Sequence, residues 1–346
     1  MTSARLPTQS QLPSTSEPAD ELRILTVTNR WPAGGTHGGV FVNQLVEAVR
    51  RQGHNVDVEV IAQRRGRLDY LLAARRIRRL ASRVDYDVVH AHYGLSALSA
   101  AAAARVPRVM SLYGSDVNVW WQRWISRLGG RAYDARIYVS RRLAERARDG
   151  NGIVIPNGVD FDLFTPGDRE LARSSLGASP ADRLVLFGGW PQRKVKGWDL
   201  FCEVIAELRA RGVEVMPVVL TEPGQARQRV VEKMDASDLL LFTSRRGSEG
   251  SPTVVKESIA MGLPVVSVDV GDVAELLAGV HPSAVVSYPE GDALPARHQL
   301  VMRLADEASA ILDRGGRANG RQAHRWLDLD AVASRVIGVY RHVIAR

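Results

Sequence analysis

Apolar residues in this chain follow two patterns. Some form short unbroken runs, which read as strands buried on both faces; others recur every three or four positions, which reads as one face of a helix. After a polar tail, LRILTVTNR (Leu22 to Arg30) predicts a strand, WPAGGTHGG a loop, and a helix from about Val40 to Gln52 that stops at Gly53. VDVEVIA follows as a strand, then an arginine-rich helix, YDVVHAH, an alanine-rich helix from Gly94, PRVMSLY and RIYVS. A second series opens at LVLFGG (Leu184 to Gly189). It continues through a helix ending near Arg211, VEVMPVVL, DLLLFTS, another helix, PVVSVDV and AVVSY. Strands alternating with helices predict an α/β protein whose parallel sheets are covered on both faces. VIPNGVDFDLFTPG, between the two series, suits a linker. LDLDAVASRVIGVYRHVI predicts an amphipathic helix beginning near Asp328 or Asp330. Two such domains create a cleft at the carboxyl ends of their strands.

Length agrees with this division, because 346 residues suit two domains of about 150 each. No apolar run approaches the ~18–20 residues that cross a bilayer. The first residues, Met1 to Asp20, are rich in Ser, Thr, Pro and Gln and predict a disordered tail without a signal peptide. A single cysteine, Cys202, excludes an intramolecular disulfide and points to a reducing cytoplasm. The net charge of +8 implies an anionic partner. Arginines crowd one predicted helix: Arg67, Arg75, Arg76, Arg78, Arg79 and Arg83, with Arg64 and Arg65 just before it. Tyr70, Ala73, Ala74, Ile77, Leu80, Ala81 and Val84 gather on its other face. That face is expected to pack on the domain core, leaving the arginines to meet an anionic membrane surface. Nucleic acid ranks last as a partner, since no recognition module accompanies the charge.

The chemistry concentrates in SEGSPTVVKESIAMGLPVVSVDVGDVAEL, Ser248 to Leu276, where seven residues separate Glu249 from Glu257. Ser251 suits an N-cap and Pro252 the first helical position, so a helix is predicted to start there. Gly262 stops it, and Pro264 opens a buried strand. At about 1.5 Å per residue, Glu257 would sit roughly 8–9 Å up the helix, with Glu249 outside it beside free backbone N–H groups. Those N–H groups suit phosphate oxygens, and a carboxylate on either side suits hydroxyls. The combination predicts a nucleotide-sugar. Upstream, FGGWPQRKVKGWDL places Arg193, Lys194 and Lys196 after a strand, with Lys196 then Arg193 preferred for the diphosphate. Gly34, Gly35, Gly38 and Gly39 precede an earlier helix and permit close backbone approach. That loop lacks the Lys-Ser/Thr ending of a nucleotide-triphosphate loop. His90 and His92 lie at a strand end, and a satisfied structural role is expected for them. Trp120, Trp121 and Trp124 follow YGSD and suit a sugar ring, a lipid or core packing.

These residues carry a resemblance. HGGVFVNQL, YGSD (Tyr113 to Asp116), VIPNGVD (Val154 to Asp160), Lys196-Gly197 and EGSPTVVKESIAMGLPVVSVDVGDVAE recur in the order of the retaining glycosyltransferases of family 4, also called group 1. The resemblance implies a GT-B fold: a tail over 1–21, a Rossmann-like acceptor domain over 22–157, and a Rossmann-like nucleotide-sugar domain over 158–327. A final helix over 328–346 would pack back on the first domain. It implies hexosyl transfer with retained configuration, from a UDP-sugar first and a GDP-sugar next. The positive charge, the arginine helix and the tryptophans suit a lipid-linked saccharide acceptor of cell-surface polysaccharide synthesis, met at the inner face of a membrane, and a soluble acceptor that carries phosphate would explain the charge equally. Catalysis would fall to Glu249, Lys196 and Asp116. Donor contacts would come from Arg193, Lys196, Glu249, Gly250, Ser251, Pro252, Thr253, Glu257, Gly38, Gly39 and Asn157. Acceptor contacts would come from Tyr113, Asp116, His92, Trp120 and Trp121. No metal and no cofactor are expected, because cations and a helix terminus can carry the diphosphate's charge. The chain departs from the family at Tyr113, where many relatives have His, and at Trp190, where Gly-Arg is common. A nucleotide-sugar epimerase and a catalytically silent binding subunit are the alternatives.

Overall fold

A computed structural model describes residues 20–32, 39–222, 225–290 and 294–346. The expected disordered tail, Gly34, Gly35 and Gly38 lie outside the described residues, apart from the tail's last two positions. The first sheet contains β1 (Arg23–Thr28), β2 (Asn55–Val60), β3 (Val88–His92), β4 (Arg108–Leu112), β5 (Ala135–Tyr138) and β6 (Ile153–Val154). Its order is β2-β1-β3-β4-β5-β6, parallel throughout. The second contains β7 (Leu184–Phe187), β8 (Met216–Val219), β9 (Leu239–Phe242), β10 (Val265–Val268) and β11 (Ala284–Val286), in the parallel order β11-β10-β9-β7-β8. The structure is thus α/β with two doubly wound halves. Each order reverses once, at β1/β3 and at β7/β9. Connections leave in opposite directions there and open a crevice at the strands' carboxyl ends.

Successive strand residues face opposite sides, so each sheet needs apolar cover on both. Leu25 and Val27 meet Ala73 and Ile77 of the helix Arg67–Arg83 and Ala97 of the helix Gly94–Ala100. Ile24, on the other face, meets the helix Val40–Arg51 and the last helix, Leu329–Ile344. That last helix buries Leu329, Val332, Ala333, Val336, Ile337, Val339, Tyr340 and Val343. At roughly 1.5–3 kcal/mol for each large apolar side chain, this stripe holds the chain's end on the first sheet. The second sheet has its own continuous core, from Phe164 and Phe187 through Leu240 to Leu304.

Two strips of backbone join the halves. Val159 donates to Leu327 O at 2.9 Å and accepts from Leu329 N–H at 2.9 Å, so the outgoing and returning segments lie side by side. Several features differ from the expected pattern: the helices Trp120–Gly130, Arg141–Ala147, Arg169–Ser175 and Arg227–Ala236 had no predicted counterpart, and two further differences lie in the second half. The helix after Glu249 spans Thr253–Ala260, with Pro252 at the N-cap and no side-chain cap. Ser251 is therefore not the cap, because its hydroxyl is taken up by a lysine described below. The longest helix, Leu294–Arg314, had no counterpart in the predicted elements; its signal is the spacing of Leu300, Val301, Leu304, Ala305, Ala308, Ile311 and Leu312.

Candidate functional site

The charged groups meet at the β7/β9 crevice, where the loops after those two strands pack together. Gly197 has φ of 71°, and a Cβ there would lie 2.0 Å from the Thr243 carbonyl oxygen, so glycine is required. Thr243 Oγ1 donates to Gly197 O at 3.0 Å and ties the loops. The Lys196 stem runs over Gly189, where an added Cβ would come within 2.9 Å of Lys196 Cγ. Its ammonium donates to Glu249 Oε1 at 2.7 Å, and the Ser244 hydroxyl donates to the same oxygen at 2.8 Å. Both side chains of the ion pair are largely covered, at 21% and 13% exposure. A charge-assisted bond in such cover is short and directional.

Glu257 lies one helix further on and is buried. Its Oε1 accepts from the Arg227 guanidinium, whose Cζ stands 4.8 Å over the Phe164 ring. Neighbouring Lys256 is wholly buried; its Nζ donates to the Asn157 carbonyl at 3.0 Å and to Ser251 Oγ at 3.2 Å. Burial pulls Lys256 down to about 8, opposed by the Asp272 and Glu257 carboxylates. Burial pushes Asp272 up to about 6, against the pull of Lys256. Asp272 Oδ1 is a buried oxygen with no hydrogen-bond partner among the described residues.

The facing crevice of the first sheet is built differently. Asp116 Oδ1 accepts from Gly94 N–H at 3.1 Å and Oδ2 from Tyr113 N–H at 2.9 Å, so both oxygens splice the loops after β3 and β4. Burial raises this carboxyl to about 6, although those N–H groups pull it down. The Tyr113 hydroxyl and His92 Nδ1 are 2.7 Å apart, and burial holds His92 neutral at about 3. His90 bonds Tyr340 of the last helix at 2.6 Å and Ser111 at 2.8 Å. Tyr93, between them, carries a φ of 71° without being glycine, a strained backbone of the kind found at functional sites. The halves touch where glycines allow it. A Cβ on Gly250 would lie 3.0 Å from Leu143 Cδ1 and 3.1 Å from Gly114 Cα. Arg142 spans the same gap to Asp269 at 2.9 Å.

The structure therefore brings Lys196, Glu249, Gly250, Ser251, Pro252, Thr253 and Glu257 into one neighbourhood. It does not bring in all the expected residues. Arg193 is exposed and makes no side-chain bond among the described residues. Asn157 offers its backbone carbonyl to Lys256. Gly39 caps the helix Val40–Arg51 with φ of 80°, its Cα packed on the Arg30 carbonyl. Asp116, Tyr113 and His92 are buried and bonded to protein partners, so they form the crevice wall instead of reaching out from it. Trp120 and Trp121 stand on the outer rim, exposed. Ser244, Arg227, Lys256 and Asp272 were not among the expected site residues. Lys256 had a local signal, a charge inside the apolar face VVKESIA; Arg227 is 30 positions from Glu257, and no spacing links them.

Comparison with known proteins agrees with this geometry. The model described as Glycosyltransferase Family 4 matches residues 43–163, and that described as Glycosyl transferases group 1 matches residues 218–305. TuaC of Bacillus subtilis, a glycosyltransferase assigned to teichuronic acid biosynthesis, is 31% identical over 232 residues, 60% of this chain and 59% of TuaC. The D-inositol 3-phosphate glycosyltransferase of Nocardiopsis dassonvillei is 28% identical over 281 residues, 66% of this chain and 65% of that one. The matched stretch thus spans less than two thirds of either relative's length. Among solved structures, HepE of Anabaena in complex with UDP aligns with a TM-score of 0.66 and 16% identity, over 93% of this chain and 100% of HepE. With two matching family models and two parallel sheets that meet at facing crevices, the chain belongs to the GT-B glycosyltransferases of family 4, group 1.

Proposed function

We propose that this chain transfers a hexosyl unit from a UDP-sugar to a saccharide acceptor with retention of configuration and without a metal ion. The reading rests chiefly on Lys196 and Glu249, which meet at 2.7 Å in the β7/β9 crevice. Glu257 lies one helix beyond them. The ammonium is placed to neutralise a departing diphosphate, Glu249 to hold the sugar and Glu257 to accept from ribose hydroxyls. Preorganised donors of this kind supply several kcal/mol to a transition state, roughly 2.7–4 each. Retention by same-face departure needs no strong enzymic base, since the leaving phosphate accepts the acceptor's proton. This fits a first-sheet crevice whose His92 is buried and neutral. UDP is favoured as carrier because HepE, which shares the fold, was solved with it. A cell-surface polysaccharide acceptor is supported by the pathway assigned to TuaC. Thermal stabilisation by UDP, GDP and ADP, then by their sugars, tests the donor. UDP and one UDP-sugar should raise the melting temperature, and Glu249→Ala should abolish transfer. No shift with any of these ligands would overturn the reading.

A further inference from the structure

Three helices lie side by side on the outer face of the first sheet: Arg67–Arg83, Gly94–Ala100 and Trp120–Gly130. The first two follow β2 and β3, and the third follows β4 after the short helix Gly114–Asn118, so all three start near the sheet's carboxyl edge, beside the crevice. Their first two turns expose large apolar side chains. Leu68 is 61% exposed, Leu71 65%, Leu98 46%, Trp120 69%, Trp121 42% and Trp124 60%. A cluster of this kind is unusual on soluble surfaces and marks a place where something binds. Arginines continue the same helical stripes. Leu68, Leu71, Arg75 and Arg78 follow one another at helical spacing, as do Trp120, Trp124 and Arg127. Arg127 Cζ stands 5.9 Å from the Trp124 ring. Over Arg67–Arg83 six arginines face one acidic residue, Asp69, and Trp120–Gly130 carries no acid.

We propose that this rim docks on an anionic phospholipid bilayer, apolar side chains among the acyl chains and guanidinium groups at the phosphates. The chemistry selects that occupant. Tryptophan suits the headgroup boundary, arginine suits lipid phosphate, and leucine offers nothing to a nucleic-acid base. Among the described residues no helix is long and apolar enough to cross a membrane, so contact through this face is interfacial. The position beside the β1/β3 crevice would deliver a lipid-linked acceptor to the site. That last step rests on the transferase reading; the docking itself does not.

The test uses the whole chain and vesicles of phosphatidylcholine with or without phosphatidylglycerol. The chain should sediment with phosphatidylglycerol vesicles at low salt and be released at high salt. Brominated lipid should quench its tryptophan fluorescence. Trp120→Ala/Trp121→Ala/Trp124→Ala and Arg75→Glu/Arg78→Glu should each bind at least tenfold more weakly, and the first should lose the quenching. Failure to sediment at low salt, unchanged binding by both variants, or tighter binding to single-stranded RNA than to vesicles would overturn the proposal. UDP stabilisation, measured on all three proteins, separates the two readings. If UDP stabilises each protein and no vesicle binds, docking alone fails. If vesicles bind and no nucleotide stabilises, docking stands and the donor assignment fails.

Discussion

The ammonium of Lys256 and the carbonyl of Asn157 lie 3.0 Å apart, joining the donor-side helix to the backbone that links the two halves. Lys256 is wholly buried, with Ser251 and Asp272 as its other neighbours. Removing one member of a buried charged cluster leaves its partners unpaired and costs about 3–5 kcal/mol. Lys256→Met should therefore lower stability by that order in urea unfolding. Lys256→Met/Asp272→Asn should recover part of the loss, since neither charge is then stranded. A single variant as stable as the parent would show that the linkage carries no weight.

Asp272 makes the stability of the same cluster depend on pH. Its folded value of about 6 lies above its ordinary 3.8. Between those values the folded protein holds a proton that the unfolded chain has released. Stability from this group is complete below about 3.8 and disappears as pH rises through about 6, in total about 3 kcal/mol. Melting curves of the parent and Asp272→Asn between pH 4 and 7 test this. The parent should lose stability relative to the variant as pH rises, and parallel curves would contradict the assignment.

Why some of this was legible and some was not follows from how each feature is encoded. Strands such as β9 and β10 are buried on both faces, so they stand out as unbroken apolar runs. Lys196 and Glu249 follow strands of one parallel sheet, which sends both to the same edge and was legible from order; that β7 and β9 are neighbours, with β8 outside them, was not. Nor was partner choice. Arg227 reaches Glu257 from another helix, and Ser244 reaches Glu249 through the shape of one loop. The helix start moved to Thr253 because Ser251 serves Lys256, a contact set by the fold and not by the local string. Tyr113 could be named as a departure from the family. That its hydroxyl would be consumed by His92 depends on the register of β3 against β4.

Gly189 is the floor beneath Lys196. An added methyl would stand 2.9 Å from Lys196 Cγ and 3.1 Å from its Cβ, close to the root of the side chain, where bending away is difficult. Gly189→Ala should therefore move the ammonium away from Glu249. A displacement near 1 Å at a reacting centre can cost about 10²-fold. The expected result is kcat lowered by about that factor, approaching the loss expected of Lys196→Ala, with the melting temperature little changed. Parent-like turnover in Gly189→Ala would mean that Lys196 has freedom to spare and that its position is not set from below.

Gly250 stands at the contact between the halves, and its neighbours there are Gly114 and Leu143. Three separations of 3.0 to 3.3 Å to a hypothetical Cβ mean that the two loops approach as closely as bare backbone permits. The same approach sets the distance between the Lys196–Glu249 pair and the crevice wall formed by Tyr113. Gly250→Ala would hold the loops apart by a few tenths of an ångström. The Arg142–Asp269 pair, both side chains partly exposed, is too weak to enforce closure alone, since such pairs contribute about 0–1 kcal/mol. Transfer demands that acceptor and donor meet with little slack, whereas unfolding is governed by the two cores on either side. Gly250→Ala should thus lower kcat about tenfold or more while shifting the melting temperature only slightly. A compensating test is Leu143→Ala in the same chain, which removes the atom nearest the new methyl and should restore part of the rate. If the single variant turns over like the parent, closure at this point does not limit the reaction. If Leu143→Ala restores nothing, the methyl acts on the donor loop itself and not through contact with the first half.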